Sequence, residues 1–555
     1  MSREKIVELI EGAVAAAVEA GEIPPVADVS VALERPKRLE HGDWATNLAL
    51  VLAKHTGARP RQVAEALARH IEPVPGVVSC VEVAGPGFIN FRLAPEFVRG
   101  ILFEIDARGD GFASSDAGGS RRVQVEFVSA NPVGPLHVGH GRWAAYGDAL
   151  VRVMERAGFD VQREFYVNDY GTQVANFGRS ISARYMEALG REATFPESGY
   201  AGRYIVDIAD RIVEEHGEEY ADLPDEERSR LFADAEYPRM LESIRATCER
   251  MGVGFDVWFS ERELYRKGEV ERTLAELEER GEAYRSEGAL WLKTSEYGDE
   301  KDRVLVRSNG EPTYFASDIA YHHDKMLRGF DLVIDIWGAD HHGYVARMKA
   351  AMDAMGYGAE HLEVILGHLV RLYRAGEPVV MSKRTGDIIT LDELLDEVGP
   401  DAARYFFLQR TSDSPLDLDI DLARKESPEN PVYYVQYAHA RICSILRFAA
   451  EQGAGDRVPS PRDVALLDTA AEMDLIRKLA ELEETVVICA RQRAPHRLTK
   501  YAEELAALFH VFYRDCRVVT EDEGLTAARM FLVKGVRRVL KITLGLLGVS
   551  APDSM

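Results

Sequence analysis

The stretch from Val123 to Leu150, VQVEFVSANPVGPLHVGHGRWAAYGDAL, restricts this chain more than any other. It opens with Val123, Val125 and Phe127 in alternation, the pattern of a buried strand. A loop with Pro132 and Pro135 follows, then the tight element His137-Val-Gly139-His140. From Arg142 onward the apolar residues fall at helical spacing. Strand, loop, glycine and helix start form the arrangement by which α/β folds aim backbone N–H groups at a phosphate. Two histidines at the helix entrance can also donate hydrogen bonds to a phosphoryl group as its charge grows in a transition state. A glycine at position 139 lets adenine and ribose approach the backbone where a Cβ would block them. The plain alternative is a pair of histidines that cap the helix. A second rival is the dinucleotide fingerprint G-x-G-x-x-A, which Gly139-His-Gly141-Arg-Trp-Ala144 fits, with Glu164 near the expected ribose-binding acid. That fingerprint should follow its strand at once, and the proline-containing loop between Phe127 and Gly139 disfavours it.

The rest of the chain sets the context for this stretch. Its 555 residues suffice for two to four domains with a substantial core. No apolar run reaches transmembrane length, and Glu4, Glu8 and Glu11 in the first amphipathic segment are wrong for a secretory signal. Cys80, Cys248, Cys443, Cys489 and Cys516 form an odd set without a C-x-x-C pair, which argues against a disulfide framework and a thiolate zinc site. A cytoplasmic location is expected. The net charge of −25 does not exclude a nucleic-acid partner. Much of the acidity sits in solvated helical stretches such as Glu214–Arg230, and basic residues can still gather on one face.

Residues 1 to about 105 predict a small α+β unit, with helices over Ile6–Ala20 and Thr46–Ala53 and strands over Ser79–Val83 and Phe88–Arg92. Asp106–Ser120, rich in Gly, Ser and Asp, has the composition of a linker. Strand–helix alternation starts at Arg121, with a second strand over Gln162–Val167 and a helix from Gln173 to Leu189. A charged helical region from about 198 to 285 interrupts it like an insertion between two half-sheets. Alternation returns with Leu332–Trp337, the turn Gly338-Ala339-Asp340-His341-His342, a helix to Met355, and Glu363–Leu366. Two half-sheets around a crevice are what a nucleotide site at a topological switch point requires. From about Pro428 helical spacing dominates, over Tyr433–Ala450, Val464–Val487 and Leu498–Val519.

A second signature lies at Val379-Val-Met381-Ser382-Lys383-Arg384. A lysine on a loop beyond the last sheet strand can meet phosphates held by the histidines from the other side. In this order around a split sheet, the two motifs resemble the signatures of class I aminoacyl-tRNA synthetases. The likeness narrows at Glu126-Phe-Val-Ser129-Ala-Asn131-Pro-Val-Gly-Pro-Leu-His137-Val-Gly-His140, which is similar to the arginyl-tRNA synthetase form of the first motif. Tyr166–Gln173, Pro312–Tyr321, Tyr434–Arg441 and the C-terminal LGVSAPDSM resemble other segments of that family, so the likeness runs through essentially the whole chain. The second motif departs from the frequent Lys-Met-Ser-Lys at its first position, where Val380 stands.

The resemblance implies a Rossmann-like catalytic domain over 121–425 with a helical insertion at about 190–300, an α+β domain over 1–108, and an all-α anticodon-binding bundle over 428–555. It implies an arginine–tRNA ligase that makes arginyl-adenylate from ATP and passes arginine to the terminal ribose of tRNA. His137, His140 and Lys383 are then the phosphate-stabilising residues, and Gly139, Gly141, Asp340, His341, Met381 and Ser382 the remainder of the ATP site. Tyr314 and Asp318, one helical turn apart, with Ser129, Asn131, Glu126 and Gln173, are the candidate arginine contacts. Tyr437, His439 and Arg441 offer stacking and hydrogen bonding to unpaired tRNA bases, and His41-Gly-Asp43-Trp44 is a candidate for the tRNA elbow. Mg²⁺ is expected to arrive with ATP, no structural zinc and no membrane contact are expected, and the expected state is a monomer. A guanidinium site can discriminate by ~10⁴ without an editing domain. Two other readings stay open here, a non-catalytic tRNA-binding relative and a nucleotidyltransferase acting on a metabolite.

Overall fold

The computed structural model describes residues 2–25, 30–36, 39–379, 389–454 and 457–555. Met381, Ser382, Lys383 and Val380 of the second signature lie outside the described residues.

At the centre of the larger unit is a five-stranded sheet in which every neighbouring pair is parallel. Its strands are β1 (Arg122–Glu126), β2 (Asp160–Val167), β3 (Val257–Ser260), β4 (Leu332–Gly338) and β5 (Leu362–Gly367), in the spatial order β5-β4-β1-β2-β3. The order reverses between β1 and β4, so the crevice at their C-terminal ends is the switch point. Helix α1 (Val138–Arg156) follows β1, α2 (Thr172–Ala188) follows β2, α3 (Tyr314–Leu327) precedes β4, and α4 (His342–Ala354) leads to β5. Val123, Val125, Phe127 and Phe165 are fully buried, as the alternation predicts. Gly147 lets α1 lie against β1, because a Cβ there would come within 2.3 Å of the Phe127 ring.

The charged region between the half-sheets is not one insertion. Strand β3 lies inside it and forms the sheet edge, pairing with β2 from Glu164↔Val257 to Val167↔Ser260. Four residues flanked by charged helices carry too little periodicity to announce a strand. The true additions are a helical module over Arg203–His216 and Asp225–Arg250, packed on α2 through Phe177, Ile181, Tyr185, Ile205 and Phe232, and a small antiparallel sheet over Ala283–Ser286, Ala289–Leu292 and Arg303–Val306. A further sheet joins Val370–Arg374, Glu377–Pro378 and Leu416–Asp419.

The expected linker is built structure. Gly118 N donates to Ala157 O at 2.7 Å and Ser120 N to Gly158 O at 2.8 Å. Phe112 and Ala113 are buried, and a Cβ on Gly118 would lie 2.5 Å from Phe159. Gly118 answers a close approach, not a need for slack.

The compact units also cut across chain order. The larger comprises residues Ala113–Cys443, Leu482–Ala506 and Val539–Met555, and the smaller Met1–Phe112, Ser444–Glu481 and Ala507–Arg538. The smaller has an antiparallel sheet in the order Trp44–Thr46, Phe88–Leu93, Val78–Ala84. Its N-terminal part is joined to helices of the last third by Arg477 on Asp43 at 2.9 Å, Arg99 on Leu467 O at 2.8 Å, and a Phe103–Phe531 ring contact. The helix expected over Val464–Val487 is broken into Pro461–Val464, Ala470–Leu479 and a helix from Leu482, with Thr469 and Glu472 forming a capping box for the second piece. Among the described residues no helix is long and apolar enough to cross a membrane.

Candidate active site

Three acidic residues stand level across the middle of the parallel sheet. Glu126 on β1 is in register with Glu164 on β2 and with Asp335 on β4. All three are buried, and such carboxylates require cations or donors close by. Helix α3 supplies them from residues spaced along one face. Lys325 Nζ donates to Glu126 Oε2 at 2.6 Å and to Asp335 Oδ1 at 2.8 Å. His322 Nε2 meets Asp335 Oδ2 at 2.8 Å, and Tyr321 O–H donates to Glu164 Oε1 at 2.6 Å. Arg328, just past the helix, closes on both oxygens of Glu164. Burial pushes Asp335 upward, but Lys325 and His322 override it and hold its carboxyl down to about 2.

Beyond this paired row the chain leaves β1 under strain. Val128 and Ser129 both have positive φ, 69° and 36°, and Ser129 N donates to Phe127 O at 3.0 Å, closing a three-residue turn. A β-branched residue at positive φ is costly, and such strain persists where the surroundings enforce it. The turn aims Ser129 Oγ at Glu126 Oε1, 2.8 Å away, while the same oxygen accepts from Tyr166 N at 3.1 Å. Both carboxylate oxygens of Glu126 thus have partners within the protein.

Asp318 and Glu261 differ from the row. Asp318, half-buried on the first turns of α3, accepts a short hydrogen bond from Tyr344 O–H. Glu261, 3% exposed, directly follows β3. Among the described residues neither has a lysine or arginine at ion-pair distance. Burial raises the Asp318 carboxyl, with Glu126 and Asp335 adding to the effect, while the Tyr344 hydroxyl and His322 oppose it. Burial, opposed by hydrogen bonds from Ser317 and Tyr166 and reinforced by the charges of Asp318 and Asp169, pushes Glu261 up to about 7. A buried and a half-buried carboxylate in electrostatic reach of each other, with no lysine or arginine at ion-pair distance among the described residues, describe a pocket for a cation. Glu261, Lys325, Asp335 and Tyr344 lie in none of the sequence motifs. An Asp inside the apolar strand LVIDIW was the available signal for the buried network.

At the switch point His137 is the N-cap of α1. Its Nδ1 accepts from Gly139 N at 3.1 Å, and His140 Nδ1 accepts from His137 N at 3.2 Å, a reciprocal capping box. The rings stack with centroids 3.7 Å apart. Capping and chemistry are therefore not alternatives. With Nδ1 accepting in both rings, each neutral imidazole carries its proton on Nε2, which makes Nε2–H the donor. Gly139 has an intramolecular reason as well, since a Cβ there would lie 2.9 Å from His137 Cε1. Gly141 faces the protein interior: a Cβ would lie 2.5 Å from Leu391 and 2.9 Å from Phe407, so packing rather than nucleotide contact accounts for it here.

Thr390 and Leu391, downstream of the second signature, lie against the first motif. His137 pairs with Thr390 in an antiparallel bridge, and Leu391 N donates to Leu136 O at 2.7 Å. Asp340 and His341 sit exposed on a short turn after β4, with 3.8 Å between their side chains. Tyr314 is exposed at the start of α3, Gln173 is half-buried at the start of α2, and Asn131 is half-buried in the loop after β1. Asp169 receives Ser260 Oγ at 2.6 Å and Arg262 N at 2.8 Å, linking the ends of β2 and β3.

The expected tRNA contacts divide. In the helix Pro431–Glu451, Tyr433 stacks on Tyr437 at 6.1 Å, and the Arg441 guanidinium lies 5.2 Å from the Tyr437 ring centre. These three, spaced by four, form a half-buried stacking ladder. His439 is buried and its Nδ1 is 2.9 Å from Pro552 O, so the ring holds the C-terminal tail instead of facing a base. Cys443 Sγ donates to Asp553 at 3.2 Å in the same latch. Asp43 and Trp44 are likewise buried, Asp43 bonded to Leu93 N and Arg477, which removes them as surface contacts for an RNA elbow.

Three family models match the chain. Residues 4–93 match "Arginyl tRNA synthetase N terminal domain", residues 109–407 "tRNA synthetases class I (R), catalytic domain", and residues 435–555 "DALR anticodon binding domain". The chain is 50% identical over 557 residues to an arginine–tRNA ligase of Carboxydothermus hydrogenoformans, covering 100% of both. It is 50% identical to that of Heliobacterium modesticaldum, over 99% of this chain and 98% of the relative. The arginyl-tRNA synthetase structure of Thermus thermophilus superposes with a TM-score of 0.78 at 26% identity, covering 100% of both chains.

Proposed function

This chain belongs to the arginyl-tRNA synthetase family and is an arginine–tRNA ligase that uses ATP, and we propose that the geometry divides the work among its residues as follows. The matches support neither of the two other readings of the sequence.

The carboxylates of Asp318 and Glu261 receive the substrate guanidinium, and Tyr314, Asn131, Gln173 and Ser129 complete the arginine pocket. The single observation that carries this is the adjacent pair, Glu261 buried and Asp318 half-buried, with no lysine or arginine at ion-pair distance among the described residues, beside a row of three acids that Lys325, His322, Tyr321 and Arg328 partner. Glu126 acts through Ser129 and the strained turn, since Lys325 occupies its other oxygen.

ATP lies across the switch point over Gly139. The Nε2–H groups of His137 and His140 stabilise charge on the α-phosphate and the departing pyrophosphate as the arginine carboxylate attacks. Lys383, with Met381 and Ser382, meets the same phosphates. Asp340 and His341 border the nucleotide, and Mg²⁺ enters as part of the substrate, bound mainly by phosphate oxygens. The adenylate then passes its arginyl group to the terminal ribose of tRNA, whose anticodon bases stack on Tyr437 and Arg441. The enzyme acts as a monomer in the cytoplasm.

Competition by citrulline tests the pocket. It replaces the guanidinium with a neutral ureido group of nearly the same shape and leaves both carboxylates unpaired. At ~100-fold excess it should leave arginine-dependent tRNA charging essentially unchanged, since a buried unpaired charge costs several kcal/mol. Effective competition would place the guanidinium elsewhere.

A further inference from the structure

Arg142 lies two residues beyond His140 on α1 and is only 1% exposed. Among the described residues no carboxylate pairs with it. Its guanidinium donates from NH1 to His368 O at 2.9 Å and from NH2 to Thr411 O at 2.8 Å. Those carbonyls stand at matching places: His368 just before the strand Val370–Arg374, Thr411 shortly before Leu416–Asp419. The two strands pair in parallel, Val370↔Leu416 through Tyr373↔Asp419, and His368 N donates to Ser412 O at 3.0 Å. The adjacent Trp143 fills the space over Gly367, where a Cβ would come within 1.9 Å of the indole. Burial pulls the guanidinium down to about 10 against the opposing pull of Tyr146 and Asp413, so placing it here without a directly paired carboxylate is unfavourable and calls for a reason.

We propose that Arg142 is a positioning residue for adenylate formation, a planar fork that fixes the root of the Val370–Arg374/Leu416–Asp419 sheet to the helix carrying the two histidines. A planar five-donor group can span two carbonyls on different segments, which a lysine ammonium cannot do with the same geometry. Because α1 is rigid, a shift of that sheet root reaches His140 within one helical turn, and transition-state contacts are sensitive to displacements of an ångström. The inference rests on the assignment of His137 and His140 to the phosphates.

Arg142→Lys, which keeps the charge but loses the fork, tests it beside His140→Ala in tRNA-supported ATP–pyrophosphate exchange. Arg142→Lys should lower kcat at least ten-fold with the KM for arginine within two-fold of wild type and a cooperative thermal transition retained. Wild-type kcat, or an equal fold rise in the arginine KM, would overturn the proposal. Wild-type activity in His140→Ala would sink the histidine assignment alone, leaving the clamp to be judged on the Arg142→Lys split. Should Arg142→Lys not fold, hydrogen exchange on the intact enzyme decides. Saturating ATP should slow exchange at least five-fold in 368–374 and 411–419 together with 138–142, and protection confined to 138–142 would refute the coupling.

Discussion

Glu261 gives the pocket a pH signature that can be worked out in advance. Its carboxyl is raised from an ordinary 4.5 to about 7 by burial and by the neighbouring Asp318 and Asp169 charges. At pH 6 only about one-tenth of the free enzyme carries the ionised form, and at pH 8 about nine-tenths does. If the guanidinium binds to the ionised form, the arginine Kd is about ten-fold weaker at pH 6 than at pH 8. Binding at pH 6 should then release roughly 0.9 proton to the buffer. The stability effect has the opposite sign. A carboxyl raised on folding holds a proton that the unfolded chain has already released between pH 4.5 and 7. Its contribution to stability is therefore lost as pH rises through that window, by about 3 kcal/mol in order of magnitude. Arginine removes the penalty, so it should raise Tm more at pH 8 than at pH 6.

Titration calorimetry in buffers of different ionisation enthalpy measures both Kd and proton release. Glu261→Gln deletes the group while keeping its size. It should remove the inflection near pH 7 and weaken arginine binding at pH 8 by ~10- to 100-fold, the difference of ~1.5–3 kcal/mol expected for a charge-assisted hydrogen bond. Asp318, also raised by burial, keeps a residual pH dependence in this variant. An unchanged inflection in Glu261→Gln, or proton uptake on binding, would refute the assignment.

Other consequences are simpler to check. Asp318→Asn should raise the arginine KM ~10- to 100-fold and leave the ATP KM unchanged; parallel effects on both would move Asp318 out of the amino-acid pocket. His140→Ala should cost about 1 kcal/mol of stability through the lost cap and at least ~10²-fold in adenylate formation, measured by denaturation and by single turnover, with similar losses in both refuting a catalytic role. Lys325→Met strands Glu126 and Asp335 and should destabilise the fold by ~3–5 kcal/mol in denaturant titration; less than 1 kcal/mol would mean the buried row tolerates loss of its cation. Arginine-dependent exchange should be nearly absent without tRNA, and Arg441→Ala should raise the tRNA concentration needed without lowering the plateau. Full exchange without tRNA would show that the pocket is preformed.

How far such features could be read from the sequence depended on the kind of signal each carries. The change from alternating to helical spacing between Phe127 and Arg142 exposed β1 and α1, because burial imposes those periods on any strand and helix of a parallel sheet. Strand β3 gave no such signal: Val257–Ser260 is too short for a period to emerge among charged helices, and with it went Glu261, whose importance comes from standing at the C-terminal end of a sheet strand. The buried row failed for a related reason. Register set by β-pairing places Glu126, Glu164 and Asp335 side by side, although Glu126 and Asp335 are over two hundred positions apart in the chain. Only α3 and the residue past its end, with Tyr321, His322, Lys325 and Arg328, show what partners them. The histidines illustrate a different limit. Cap and phosphate donor look like competing roles in the sequence, yet an imidazole has two nitrogens, and fixing Nδ1 in the cap is what makes Nε2 a reliable donor. The same reasoning separates His439 from Tyr437, two residues away on one helix. A shift of two positions turns a side chain by about 200° around the axis, so one faces the stacking ladder and the other the C-terminal tail.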